Sequence, residues 1–518
     1  MNKLLTALSC LLLCVSLVAQ PISSASIDSL AERVLKAFDV PGVAVGIVKD
    51  GKIIHAKGYG VRKLGGVEKM DANTMVGIAS NSKAFTAAAL AVLVDEKKLA
   101  WDTKVRDIIP EFKLYDAYVT EAFTIADLLT HRSGMGLGAG DLMMFPDSSN
   151  FTLKDIIYNL RFLKPVSGFR TKFDYDNLLY IVAGEVVNRV SGLSWDDFVE
   201  QRLMRPLGMK SSAACYSRLA DKTNSISAHA PVEGVVKPIP IDFSETGNAA
   251  GGIWSNINEL SMWAIAQMNG GAYGDSLKKK LFSATQHREM WTMQTIMPVG
   301  GPGAYNTHYS GYGLGWFLND AKGYQQVSHT GGLLGIVTQV TLLPELKLGI
   351  IVLTNQLSGY AFTSITNTIK DAYFGMPYRD RVAQYKKISD EDKAEAKAVT
   401  DGIWTAIAAA QKKAVSAIPD SMLLGTYADS WFGKITISKK NNQYLFSSQR
   451  SPKLTGEMLP YKANTYVVKW FDRSMDADAF ASFKLDEEGK AVGLSMKAIS
   501  PLTDFSFDFH DLDLKRVE

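Results

Sequence analysis

Ser80 and Lys83 stand three residues apart in the stretch GIASNSKAFTAAALAVLVDEKKL, which runs from Gly77 to Leu99. On a helix, side chains at i and i+3 share a face. A serine at a helix N-terminus meets unpaired backbone N–H groups and the positive end of the helix dipole, and both favour negative charge developing there. A lysine inside an alanine-rich, apolar helix is desolvated, which lowers its pKa and makes it a base. Serine becomes a nucleophile when such a base takes its proton. The pattern S-x-x-K recurs by chance in most proteins, so it needs company.

Two further stretches supply it. In FDYDNLLYIVAGEVV, Tyr175 and Asn177 precede a helix-like run. A phenol beside an ammonium group can share its proton; the plainer alternative is an aromatic core residue with Asn177 capping the helix. In VSHTGGLLG, a strand would present His329 and Thr330 to a ligand, with Gly331 and Gly332 letting a substrate backbone approach closely. A free N–H on that strand edge, paired with the N–H of Ser80, would form an oxyanion hole. The plainer alternative is a strand that ends in a glycine turn.

Elements with the right periods surround these stretches. IDSLAERVLKAF places Ile27, Leu30, Val34 and Leu35 on one helical face. Two β-branched runs flank Asp50-Gly51, a strong hairpin signal. Near Tyr312 strand character returns in YGLGWFL, YQQVSHTGG, GIVTQVTLLPE and KLGIIVLTN. Strands at both ends with helices between predict one α+β domain over residues 26–377, an antiparallel sheet flanked by helices. Residues 378–418 are charged, then alanine-rich, and read as a helical linker. Residues 419–518 read as an all-β barrel or curved sheet. It has a hairpin at Asn441-Asn442 and alternating segments that include TYVVKWF and FSFDFHDLDL.

Bulk properties bound the function. The 518-residue chain is 47% hydrophobic with a formal net charge of +3. Mixed charge argues against a dominant nucleic-acid or anionic-membrane surface. Residues 1–25 carry Lys3, an apolar run and then small residues, as a secretory signal peptide does, with cleavage suited to follow Ala19 or Ala25. Removing it takes Cys10 and Cys14, so Cys215 has no internal disulfide partner. The mature chain has no further long apolar run and is expected to be periplasmic or secreted. G-x-S-x-G and H-E-x-x-H are absent, as is any cysteine cluster, so neither a metal nor another cofactor is expected.

The order Ser80-x-x-Lys83, Tyr175-x-Asn177, His329-Thr330-Gly331 resembles the serine β-lactamase and penicillin-binding-protein superfamily, in its class C-like branch. That branch includes D-aminopeptidases, esterases and transesterases. FTIADLLTHRSGM, SGLSWDDFVEQRLMRPLGM, GNAAGGIWSNINELSMW and YGLGWF look like blocks of the same family in the expected order. The C-terminal part looks like the lipocalin-like β-domain of some members. The resemblance implies Ser80 as acylated nucleophile, Lys83 taking or relaying its proton, and Tyr175 as general base that later protonates the leaving group. Asn177, His329, Thr330 and Gly331 would bind substrate, and the N–H groups of Ser80 and Gly332 would form the oxyanion hole. His131, in the first block, would be structural. Two departures stand out. His329 replaces the lysine that binds a carboxylate in penicillin-binding enzymes, and Asp176 stands where serine is commoner. The implied function is a serine hydrolase cleaving an ester or amide of a small molecule or peptide, including D-amino-acid peptides and β-lactam-like substrates. The alternatives are acyl transfer to an alcohol, or a non-catalytic sensor that stays acylated. Assembly into a homo-oligomer is left open.

Overall fold

The computed structural model describes residues 21–241, 244–412 and 418–517. The expected α+β class and the C-terminal barrel are both present. The expected signal segment lies outside the described residues up to residue 20. Helix α1 (Ser24–Phe38) begins just beyond, capped by the Ser23 hydroxyl. A cut after Ala25 would remove that cap, and a cut after Ala19 would keep it.

The main sheet has eight antiparallel strands: β1 (Gly42–Lys49), β2 (Lys52–Gly60), β3 (Thr295–Met297), β4 (Ser310–Tyr312), β5 (Phe317–Ala321), β6 (Tyr324–Leu333), β7 (Ile336–Leu343) and β8 (Leu348–Thr354). Their order is β2-β1-β8-β7-β6-β5-β4-β3. Asp50 and Gly51 both take positive φ, as a two-residue turn matched to strand twist requires. β8, LGIIVLT, is buried throughout because both sheet faces are covered. On one face Val43, Val45, Ile350 and Val352 pack with α1 and with α5 (Gly359–Tyr373). On the other, Ala44 and Ile351 pack with Ile257 and Leu260 of α4 (Ile257–Met268).

Helix α2 (Ser82–Asp95) is enclosed rather than amphipathic, with Ser82 through Leu93 all buried. Its alanines let neighbours approach closely, among them α3 (Leu178–Ser191) and a short helix at Asn248–Gly251. Phe85 stacks on Trp263 with ring centroids 3.8 Å apart.

Pairing between β5 and β6 stops at Phe317↔Ser328, so residues 329–333 have an open edge on that side. The turn carrying Ser80 seats against this edge. Gly331 permits the contact: a Cβ there would lie 2.2 Å from the Ile78 carbonyl oxygen and 2.5 Å from Thr338 Oγ1.

The segment expected to link the domains holds α6 (Arg381–Lys412), which packs on α5 and then on the barrel through Ile403 and Ile407. The barrel closes from eight strands, β9 (Gly425–Asp429), β10 (Gly433–Lys440), β11 (Gln443–Ser448), β12 (Thr455–Lys462), β13 (Thr465–Trp470), β14 (Ala479–Leu485), β15 (Ala491–Ala498) and β16 (Leu514–Arg516). It docks on the first domain. Arg450 pairs with Asp155 at 2.9 Å, and Asn159 donates to the Trp431 carbonyl at 2.8 Å.

One sequence expectation fails here. FSFDFHDLDL alternates like a strand, yet only Leu514–Arg516 is strand and Phe509–Asp511 is a 3-10 turn. Nearby acids find backbone N–H partners instead of a solvated sheet face: Asp504, just before the segment, accepts from Ser506 N, and Asp508 accepts from Gly140 N and Leu142 N of the other domain.

Gly331→Ala is expected to destabilise the protein by about 1–3 kcal/mol, the usual cost of overpacking. Gly332→Ala, with no atom within 4 Å of the added carbon, should melt with the wild type. Thermal denaturation of the two variants side by side checks this, and equal melting temperatures would contradict the tight contact.

Candidate active site

Ser80 sits in a 3-10 turn (Ala79–Asn81) that runs directly into α2. Ala79 before it has φ +50°, a left-handed conformation that costs about 1–2 kcal/mol for an L-residue. Neighbouring bonds hold it there. Ile78 N donates to the Ile253 carbonyl, Thr338 Oγ1 donates to the Ile78 carbonyl, and Asn81 Nδ2 donates to Thr338 Oγ1.

Lys83, fully buried, reaches Ser80 Oγ at 3.1 Å, Asn177 Oδ1 at 2.7 Å and the Ala250 carbonyl at 2.9 Å. Burial lowers its pKa from 10.5 to about 7, against the opposing pull of Asp141 and Asp176. The difference is on the order of 5 kcal/mol between protonation states, so desolvation outweighs both carboxyls. A neutral amine has two N–H donors and one lone pair. The two oxygens that can only accept, Asn177 Oδ1 and Ala250 O, take the donors. The lone pair is left for the Ser80 hydroxyl proton.

Tyr175 faces Ser80, and its ring centroid lies 4.9 Å from Lys83 Nζ. Burial pushes its pKa well up, so it stays a phenol at neutral pH. Asn177 is oriented by Asp141, whose Oδ2 accepts from Asn177 Nδ2 at 2.7 Å. Helix α3 is capped by Asp176, which accepts from Leu179 N at 3.3 Å, while Asn177 makes no side-chain capping bond. The cap and the lysine holder are therefore adjacent residues with separate tasks. His131 is buried beneath this turn, and its Nδ1 accepts from Asp176 N at 3.0 Å.

Along β6, side chains alternate: His329 and Gly331 are buried, Thr330 and Gly332 exposed. His329 Nδ1 donates to the Thr330 carbonyl at 2.6 Å, so Nε2 accepts from Tyr312 Oη at 2.9 Å. Burial and Lys83 lower its pKa to about 3, which keeps it neutral. The strand thus brings Thr330, Gly331 and Gly332 beside Ser80 and turns His329 inward, 1% exposed. Leu333↔Ile336 closes a two-residue turn and must be a hydrogen-bonded pair, so Gly332, in the next pair, aims its N–H away from β7 toward the open edge.

Asp141, Tyr312 and the Ala250 carbonyl carry the network without having been singled out from sequence. Asp141 has one faint signal, a lone acid ending the glycine-rich GMGLGAGD. A backbone carbonyl has none. Among the described residues no group of three or more His, Cys, Asp or Glu is placed to hold a metal ion.

Residues 27–371 match the Beta-lactamase family. The chain belongs to that family. Residues 409–516 match a domain of unknown function, DUF3471. An unguisins hydrolase of Aspergillus campestris is 26% identical over 479 residues, 89% of this chain and 86% of that one. Protein flp of Staphylococcus aureus is 26% identical over 65% of this chain and 64% of its own. Among solved structures, the octameric penicillin-binding protein homologue from Pyrococcus abyssi superposes with TM-score 0.61 at 20% identity, over 95% of this chain and 100% of that one. A class C beta-lactamase gives TM-score 0.54 at 19% identity, over 68% and 96%. These two likenesses show that the beta-lactamase fold is shared.

If Lys83 is the proton acceptor, labelling of Ser80 by a fluorophosphonate should follow the neutral amine. The rate should rise through about pH 7, level off above it, and fall about tenfold per unit well below it. Lys83→Met should leave a slow rate without this inflection. Stopped-time mass spectrometry across pH 5–9 (about the range a single titration needs) checks both.

Proposed function

We propose that the protein is a serine hydrolase that forms an acyl-enzyme on Ser80 and cleaves uncharged esters or amides. The observation that carries this is the buried Lys83 amine, held by the Asn177 and Ala250 oxygens with its Nζ 3.1 Å from Ser80 Oγ. Lys83 takes the Ser80 proton as Oγ attacks the carbonyl carbon. The N–H groups of Ser80 and Gly332 receive the oxyanion. Tyr175 gives its proton to the leaving alcohol or amine as the C–O or C–N bond breaks, and regains one from the Lys83 ammonium. Water then attacks the ester carbonyl by the reverse relay and frees the acid. This assigns the basic step to Lys83 rather than to Tyr175, because burial disfavours the phenolate and favours the neutral amine.

His329 bears on the substrate. A neutral imidazole bonded to Tyr312 cannot supply the cation that a penicillin-type carboxylate requires. Small uncharged acyl groups and peptides without a carboxylate at that position suit the pocket better. The relative named as an unguisins hydrolase supports hydrolysis as the outcome.

Intact-mass spectrometry and steady-state assays should decide, using a panel of simple esters, D-amino-acid amides and a chromogenic β-lactam. Turnover is expected on esters or amides and to be much weaker on the β-lactam. Ser80→Ala should abolish it, and Lys83→Met should lower kcat by at least about a thousandfold, as for members of one catalytic unit. A single stoichiometric acylation with no steady state would point to a sensor, and labelling at another serine would refute the assignment.

A further inference from the structure

The barrel domain reaches into the catalytic neighbourhood through the segment between β15 and β16. Asp508, fully buried, accepts from Gly140 N at 2.7 Å and Leu142 N at 3.0 Å, on either side of Asp141. The Ser506 hydroxyl faces the Asp141 carboxyl. These bonds fix Phe505 in place. Its ring meets the Tyr175 ring edge-on, with centroids 5.7 Å apart and planes at 77°. Gly138, whose N–H donates to the Tyr175 carbonyl, lies flat against it: a Cβ at Gly138 would come within 2.8 Å of the Phe505 carbonyl and 3.0 Å of its ring.

Phe505 nevertheless remains 38% exposed, and it is not alone. Leu137, next to Gly138, is 46% exposed, and Val166, which packs over Gly136, is 64% exposed. Three exposed apolar residues thus gather along the 136–138 segment, Phe505 against Gly138, Val166 over Gly136 and Leu137 between those glycines, beside the Tyr175 phenol. Clustered apolar exposure of this kind marks a binding surface more than scattered exposed residues do.

We infer that Phe505, supplied by the barrel, is a specificity-determining residue of the active site, forming with Leu137 and Val166 an apolar wall that packs the leaving group. This rests on the acyl-enzyme reading above, in which Tyr175 protonates the leaving atom. The leaving group must then extend from Tyr175 along this segment. The substrates favoured are esters or amides whose alcohol or amine carries an aromatic or branched apolar group. An aromatic ring on the substrate gains contact with Phe505, whereas a methyl group is too short to reach it.

The test compares benzyl and methyl esters of one acid in wild type, Phe505→Leu and Phe505→Ala. Wild type should prefer the benzyl ester in kcat/KM. That preference should fall about tenfold in Phe505→Ala, mainly through KM, with Phe505→Leu between them; a few apolar contacts discriminate by this much. Melting temperatures of the three proteins show whether any loss is one of folding, which would lower both esters together and leave the ratio unchanged. A benzyl-to-methyl ratio equal within twofold in wild type and Phe505→Ala would overturn the assignment while leaving the hydrolase reading intact. Ester turnover that survives in Ser80→Ala would sink the hydrolase reading, and this inference with it.

Discussion

Everything in the site depends on an amine that has lost its water. Lys83 is fully buried in the first turn of an apolar helix, and nothing in water would hold it neutral near pH 7. Desolvation does so, and two carbonyl oxygens then decide where its lone pair points. One belongs to Asn177 at the start of α3. The other belongs to Ala250, in the turn that also receives Ser82 and Thr86 through Ile253 N and Ala249 O. The helix that follows Ser80 is thus tied on two sides to the elements that hold Lys83. Loosening either would let water or a new donor reach the amine and restore its ordinary basicity.

The carboxyls around it raise a difficulty that the fold resolves. Asp141, Asp176 and Asp508 are all buried near Lys83 or near one another. Three carboxylates there would hold the amine as a cation and remove the base. Burial instead raises all three, Asp176 to about 7 and the other two well above the usual range. In the low-dielectric interior each group is cheaper to bury neutral than charged. The same desolvation that lowers the Lys83 pKa therefore also raises those of the acids, which weakens their hold on its proton. Asp141 orients Asn177 through a hydrogen bond, and desolvation outweighs its pull on the amine.

How much of this was legible depended on how local each relation is. Ser80 and Lys83 were readable because helical spacing alone puts them on one face. Tyr175 and Asn177 were readable as a short motif ahead of a helix. The hairpins at Asp50-Gly51 and Asn441-Asn442 were readable because two-residue turns demand positive φ, which these residues tolerate. Asp141 was not, since its partner Asn177 lies 36 residues away and meets it only in the folded domain. His329 looked like a ligand because β6 has the pattern of a presented strand. Which face of that strand turns inward is set by Gly331 pressing on Ile78, a tertiary fact. Phe505 was misplaced for a related reason: FSFDF has the period of a strand, but Asp508 within it answers to backbone amides in another domain and Asp504 just before it to its own turn.

That last misplacement bears on how the two domains relate. A barrel that merely sat beside the catalytic domain would need only surface contacts such as Arg450 with Asp155. Asp508 does something different, because its carboxyl lies in the interior of the first domain and satisfies two backbone donors that would otherwise be buried without partners. Unpaired buried amides cost about 1–3 kcal/mol each, so the loop that carries Asp141 is incomplete without the barrel. Asp141 in turn holds the amide that holds the lysine. The geometry around Lys83 is therefore a property of the two-domain chain, and the domain boundary drawn from composition separates groups joined by direct hydrogen bonds.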